Sequence, residues 1–187
     1  MSWASQRGNT RLWTELGMAV ALAVVLDLIS KSLPLPRMPY GGSISLRGIP
    51  IVVVALRHGY RAGALAGIAS GFVELLMGAF YVHPIQILMD YPVAFGALGL
   101  AGLAGPIETT TGIKPRLQIA LAACIGGVAR FAAHFASGLV FWRAYAPEGQ
   151  PVWLYSLLYN GSYILPEIII TILLLQWIIA VVKKKEL

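Results

Sequence analysis

The stretch that decides the fold is Leu117–Phe141, LQIALAACIGGVARFAAHFASGLVF. It runs without a proline, and its only ionisable side chains apart from the thiol of Cys124 are Arg130 and His134. As a helix rising about 1.5 Å per residue it is long enough to cross a hydrocarbon core of about 30 Å. A strand of a membrane barrel would be shorter and would alternate apolar with polar residues, which this segment does not do. A backbone in lipid must satisfy its own hydrogen bonds, so a long apolar run of this kind predicts a spanning helix.

The same reading extends outward over the chain. Its 187 residues are 58% hydrophobic and 12% charged, with mean hydropathy +0.75. A soluble domain carries about twice that charged fraction. The chain therefore reads as a single all-α polytopic membrane domain over residues 1–187. Six spans are predicted, at about Trp13–Leu33, Ser43–Leu56, Ala62–Val82, Pro84–Ile107, Leu117–Phe141 and Trp153–Val182. The second is short and contains Arg47 and Pro50, so it is expected to be re-entrant or covered by protein. The first contains Asp27 and no small-residue cleavage site, and reads as a retained span and not a signal peptide.

The basic residues orient the chain. With a cytoplasmic N-terminus, nine of the 14 lie inside: Arg7, Arg11, Arg57, Arg61, Lys114, Arg116 and Lys183 to Lys185. Lys31, Arg37, Arg47 and Arg143 lie outside, and Arg130 lies within a span. The positive-inside rule then predicts both termini in the cytoplasm. Two outer connections, Lys31–Gly48 and Trp142–Val152, are rich in Pro, Gly and aromatic residues. They suit a lid over a cavity, or equally an ordinary connection with an interfacial aromatic belt.

Charges inside a membrane are costly and point to partners or ligands. The candidates are Asp27, Glu74, Asp90, Arg130, His134 and Glu167. Arg130, Glu74 and Glu167 read first as structural ion-pair members, with Glu74, Asp90 or Glu167 as the partner of Arg130. Asp90 and His134 read as ligand residues because they lie near the aromatic outer end, and Asp27 reads as solvated there. Asn160, Tyr163 and Glu167 share a face of the last span. An aromatic cage with a carboxylate suits an organic cation, because ring faces attract cations by roughly 0.5–2 kcal/mol each. No phosphate-binding G-x-x-x-x-G-K-[ST] loop, H-E-x-x-H pair or G-x-S-x-G elbow occurs. One cysteine, Cys124, allows neither a disulfide nor a cysteine metal site within the chain. These absences predict no enzyme, no cofactor and no metal, and place any ATP-driven step on separate subunits.

Three stretches carry a resemblance: HPIQILMDYPVAFGALGLAGL at His83–Leu103, RFAAHFASGLVFWRAYAPEGQPVWLYSLLYNGSY at Arg130–Tyr163, and LPEIIIT at Leu165–Thr171. Together they resemble the ThiT (YuaJ) family, the thiamine-specific S-components of energy-coupling factor (ECF) transporters. The resemblance implies a thiamine pocket near the outer face, built from Asp90, His134, Trp142, Tyr155 and Asn160, with Tyr91 and Tyr81 beside it. Tyr40 stands where the family places a tryptophan in the first outer loop. The family's A-x-x-x-A motif falls on Ala19 and Ala23, implying a docking face for an EcfT-like transmembrane coupling subunit that works with two ATPase subunits. Localisation is expected in the plasma membrane, with no nucleic-acid partner. From the residues alone, an intramembrane enzyme acting on a lipid through Asp90, His134 and Glu167, or a stand-alone secondary transporter of an organic cation, remains open.

Overall fold

A computed structural model describes residues 3–78, 80–106 and 113–184. Among them lie six longer helical stretches, α1 Trp3–Ser32, α2 Gly48–His58, α3 Tyr60–Leu76, α4 Pro84–Ala104, α5 Ile113–Phe141 and α6 Val152–Lys184, and two short 3-10 turns at Pro39–Gly41 and Arg143–Tyr145. No strand occurs among the described residues beyond one isolated bridge, Arg37 to Ser43. Four helical segments are long and apolar enough to cross a bilayer: Thr10–Ser32, Pro84–Ala104, Ile113–Phe141 and Val152–Val181. The protein is an all-α membrane protein.

The expected spans match α1, α4, α5 and α6 to within a turn or so, except that α1 begins ten residues earlier, at Trp3, and Ile107 lies outside the described residues. Two spans differ. The second begins only at Gly48, and its 11 residues reach about 16 Å, too short for the helix to cross on its own without the extended segment that leads into it. The third ends at Leu76 instead of Val82, because Gly78 takes φ +95° and closes the helix in the left-handed region that glycine favours. The apolar run after Leu76 looks like helix by composition, but the α-helix has already ended before Gly78.

α2 survives its shortness because protein encloses it. Ile49, Val52, Ala55 and Leu56 pack with Ala101 of α4, Ile119 and Ala122 of α5 and Leu175 of α6. α3 and α4 approach so closely that a Cβ on Gly67 would lie 2.0 Å from the Phe95 carbonyl oxygen. Small residues in membrane helices permit such contact and gain dispersion energy from it. Large apolar side chains such as Trp13, Met18, Leu165 and Trp177 are left on the outside, where lipid is their solvent.

α1 lies against α2 and α3. Ala19 and Ala23 are 8% and 0% exposed, and Ala19 packs with Leu16, Val54, Ala62 and Ala66. The expectation that this pair forms an outward docking face is therefore corrected: the row is turned into the bundle. The small residues of α1 that do face outward are Gly17 and Ala21, also four apart, with open space where a Gly17 side chain would stand.

α4 changes its winding at the site. Pro84–Leu88 is α-helical, Met89–Val93 widens to a π-turn, Ala94–Ala97 returns to α, and Leu98–Ala104 tightens to 3-10. Pro92 has no N–H for the ordinary bond to residue 88, and a wider turn accommodates that loss. The π-turn carries Asp90 to the bundle interior.

Candidate binding site

The connection Leu33–Arg47 and the segment Trp142–Pro151 sit at the same end of the bundle, above one cavity. This cavity encloses about 750 Å³, mouth included. Tyr40, Gly42 and Ser45 come from the first connection, and Trp142 from the end of α5. Asp90, Tyr91 and Gln86 come from α4, His134 and Gly138 from α5, and Tyr155, Tyr159, Asn160 and Tyr163 from α6.

Asp90 is the polar centre. Its Oδ2 accepts from Gln86 Nε2 at 2.5 Å and from the Trp142 indole N–H at 3.3 Å. Its Oδ1 lies 3.2 Å from His134 Nδ1. If Nδ1 carries the proton, His134 Nε2 is a bare acceptor, and it has no partner among the described residues. Gln86 is itself fixed, since its Oε1 accepts from the Val82 N–H at 2.9 Å.

The aromatic wall surrounds Trp142, whose ring centroid lies 5.1 Å from Tyr145, 5.7 Å from Phe80 and 6.3 Å from Tyr40. Tyr40 and Tyr145 meet edge to face at 4.5 Å. Across the cavity Tyr155, Tyr159 and Tyr163 follow one face of α6, 5.7 and 6.0 Å apart in turn. Tyr159 holds the first connection: its hydroxyl accepts from the Gly42 N–H at 3.0 Å and donates to the Pro39 carbonyl. Asn160 Nδ2 donates to Ser156 O at 3.0 Å, while its Oδ1 accepts from Tyr163 OH at 2.7 Å. Tyr40 holds φ +66°, a conformation uncommon outside glycine.

The remaining buried charges are paired below and beside the cavity. Arg47, 0% exposed, donates through Nη2 to Asp27 and to Glu74, each at 2.7 Å, and through Nη1 to the Ser70 carbonyl at 3.1 Å. Lys31 lies 2.7 Å from Asp27 and 3.5 Å from Glu74. Arg130 Nη1 donates to Glu167, whose other oxygen accepts the Ser45 N–H at 2.7 Å. Both guanidinium groups lie over Phe95, at 5.4 Å for Arg47 and 4.7 Å for Arg130.

Of the expected pocket residues, Asp90, Tyr91, His134, Trp142, Tyr155, Asn160 and Tyr40 line the cavity. Tyr81 does not: it is 66% exposed and points away, while its neighbour Phe80 takes the place in the wall. Asp27 is not solvated as expected but 2% exposed and doubly ion-paired. Glu74 and Glu167 are ion-pair members as expected, and Glu167 is the partner of Arg130. Sequence reasoning assigned no site role to Gln86 or Arg47, and counted Tyr159 only among the aromatic residues of the outer end. Gln86 precedes Asp90 by four residues, the spacing that places two side chains on one helix face, and that signal could have found it.

Comparisons with known proteins place the chain in a family. A model of the thiamine transporter protein family (Thia_YuaJ) matches residues 13–187. The thiamine transporter ThiT of Bacillus subtilis (strain 168) is 39% identical over 167 residues, 86% of each chain. The thiamine transporter ThiT of Lacticaseibacillus paracasei is 34% identical over 142 residues, 71% of each. A solved structure of ThiT from Listeria monocytogenes superposes with a TM-score of 0.83 at 27% identity, covering 95% of this chain and 97% of that one. Matched along nearly its whole length in sequence and in fold, the chain belongs to the thiamine transporter protein (Thia_YuaJ) family.

Proposed function

We propose that this chain is the thiamine-binding S-component of an ECF-type importer in the plasma membrane, performing no chemistry itself. The observation that carries the reading is the isolation of Asp90. Asp27, Glu74 and Glu167 each face a permanent cation, Arg47, Lys31 or Arg130. Asp90, 9% exposed, is held by Gln86, Trp142 and His134, none of which carries a permanent charge. A buried carboxylate left without a cation is costly and calls for one from the ligand. Thiamine supplies a permanent thiazolium charge that no proton loss can remove. Trp142 stacks on one ring, Tyr40, Tyr91 and Tyr155 close the aromatic wall, and His134 and Asn160 hydrogen-bond the aminopyrimidine.

The reading also assigns a topology and a partner. The placement of basic residues supports a single membrane domain over 1–187 with both ends cytoplasmic. A cysteine at Glu148 should then react with impermeant thiol reagents in intact cells and one at Arg57 should not; the reverse pattern sinks this orientation. Docking on an EcfT-like coupling subunit carrying two ATPases is assigned to the outward Gly17–Ala21 face of α1, where small residues let a partner helix approach.

Isothermal titration of purified protein tests the binding role. Thiamine should bind without turnover or an ion gradient, and pyridoxine and riboflavin should not compete. In the same assay Gly17→Leu should bind within about threefold of wild type, yet uptake in cells should fall about tenfold, because the new side chain blocks helix contact without reaching the cavity. Conversion of thiamine by the purified chain, or loss of binding in Gly17→Leu, would refute the respective half of this reading.

A further inference from the structure

Resting on the thiamine reading, we infer that Gln86 is a positioning residue: it offers the ligand no bond of its own and acts through Asp90, holding that carboxylate aimed into the cavity before the ligand arrives. Gln86 stands four residues before Asp90, so the two side chains share one face where α4 passes from its first α-helical turn into the π-turn. It belongs to the cavity wall yet is 0% exposed, so its polar atoms work inside the protein. Both ends of its amide are engaged. Oε1 accepts the Val82 N–H at 2.9 Å, and Nε2 donates to Asp90 Oδ2 at 2.5 Å. The backbone donor fixes which end of the amide is oxygen, so the end facing Asp90 is a donor.

A carboxylate on a short stem can rotate, and three nitrogens hold this one: Gln86 and Trp142 at Oδ2, at 2.5 and 3.3 Å, and His134 at Oδ1, at 3.2 Å. Trp142 and His134 are themselves assigned to the ligand, so their geometry changes as it enters. Of the three side chains, Gln86 alone is tied to the main chain at its far end. It also joins the charge to the aromatic wall. Val82 follows Phe80 by two residues, the Phe80 ring lies 5.7 Å from Trp142, and Tyr91 OH donates to the Phe80 carbonyl at 2.9 Å. Without Gln86 the buried carboxylate loses its shortest hydrogen bond. It must then turn to another donor or take up a proton, and either state withholds the charge from the ligand.

The test is a double-mutant cycle with thiamine on wild type, Gln86→Met, Asp90→Asn and the double variant, read by isothermal titration and stopped-flow fluorescence after thermal unfolding confirms each fold. Methionine keeps the length of the side chain and removes both hydrogen bonds. In the wild-type background Gln86→Met should weaken binding about tenfold or more, because only the fraction of free protein with Asp90 in place is competent. That loss should lie in the association rate, with dissociation changed less than about threefold, since a bound cation holds Asp90 itself. In the Asp90→Asn background the same substitution should change affinity less than about twofold, because no charge is left to position. If Gln86→Met does not fold, Gln86→Asn, which withdraws the amide by one methylene, should show the same dependence on Asp90. Equal losses in both backgrounds indicate packing, a loss carried by faster dissociation indicates direct contact with the ligand, and either overturns the inference, as does unchanged affinity. Each of those outcomes leaves the thiamine reading intact. Failure of folded wild-type protein to bind thiamine overturns that reading and this inference with it.

Discussion

Asp90→Asn is expected to weaken thiamine binding about a hundredfold or more while leaving the fold intact. The amide keeps the shape of the carboxylate and its contacts with Gln86 and Trp142 can be re-formed by rotation, so packing is preserved. What disappears is the one buried negative charge with no permanent cation of its own. Removing one member of a buried charge pair costs roughly 2–5 kcal/mol, and each 1.4 kcal/mol is about tenfold in affinity. The free protein is expected to lose nothing by the exchange, because an uncompensated buried carboxylate is itself unfavourable. A thermal unfolding midpoint equal to or above that of wild type, together with the loss of affinity by titration, is the expected signature. Wild-type affinity in a folded Asp90→Asn protein would remove Asp90 from the site.

Trp142→Ala is expected to cost about thirtyfold or more. Its ring lies against Tyr40, Phe80 and Tyr145, and its indole N–H holds Asp90. Truncation removes a stacking face and opens the aromatic wall to water, and loss of such an aromatic anchor costs roughly 2–4 kcal/mol. Trp142→Phe separates the two contributions: it keeps a face and loses the donor, so it should recover most of the affinity. Stacking on Trp142 should also quench tryptophan emission as thiamine is added to wild type, and that quench should shrink in Trp142→Phe. Unchanged affinity in Trp142→Ala contradicts the stacking role.

The sequence made the long helices plain, because unbroken apolar runs such as Leu117–Phe141 have few other physical outcomes. It overran α3, since the residues after Leu76 are as apolar as those before, and only Gly78 marks the end. The pocket residues on helices were legible as well, since Asp90 and His134 are rare charges in apolar surroundings. Phe80 and Tyr81 were harder: adjacent residues of an irregular segment point apart, and composition does not say which ring turns inward. On α1 small residues stand at 17, 19, 21 and 23, giving two rows of four-residue spacing. Asp27 continues the row of Ala19 and Ala23, and the buried Arg47 that neutralises it explains why that row faces inward. The partner of a buried charge is a long-range property. A residue 20 positions away, in what reads as a loop, gives no local signal of the pairing.

Arg47 also bears on how the chain is made. It stands at the start of a helix too short to cross a bilayer, and it is neutralised by Asp27, synthesised before it, and Glu74, synthesised after it. An arginine at membrane depth without its counter-charges is expensive, so α2 has no self-sufficient inserted state. Its full compensation needs a carboxylate from α1 and one from α3, so the charge of Arg47 ties three helices into one electrostatic unit.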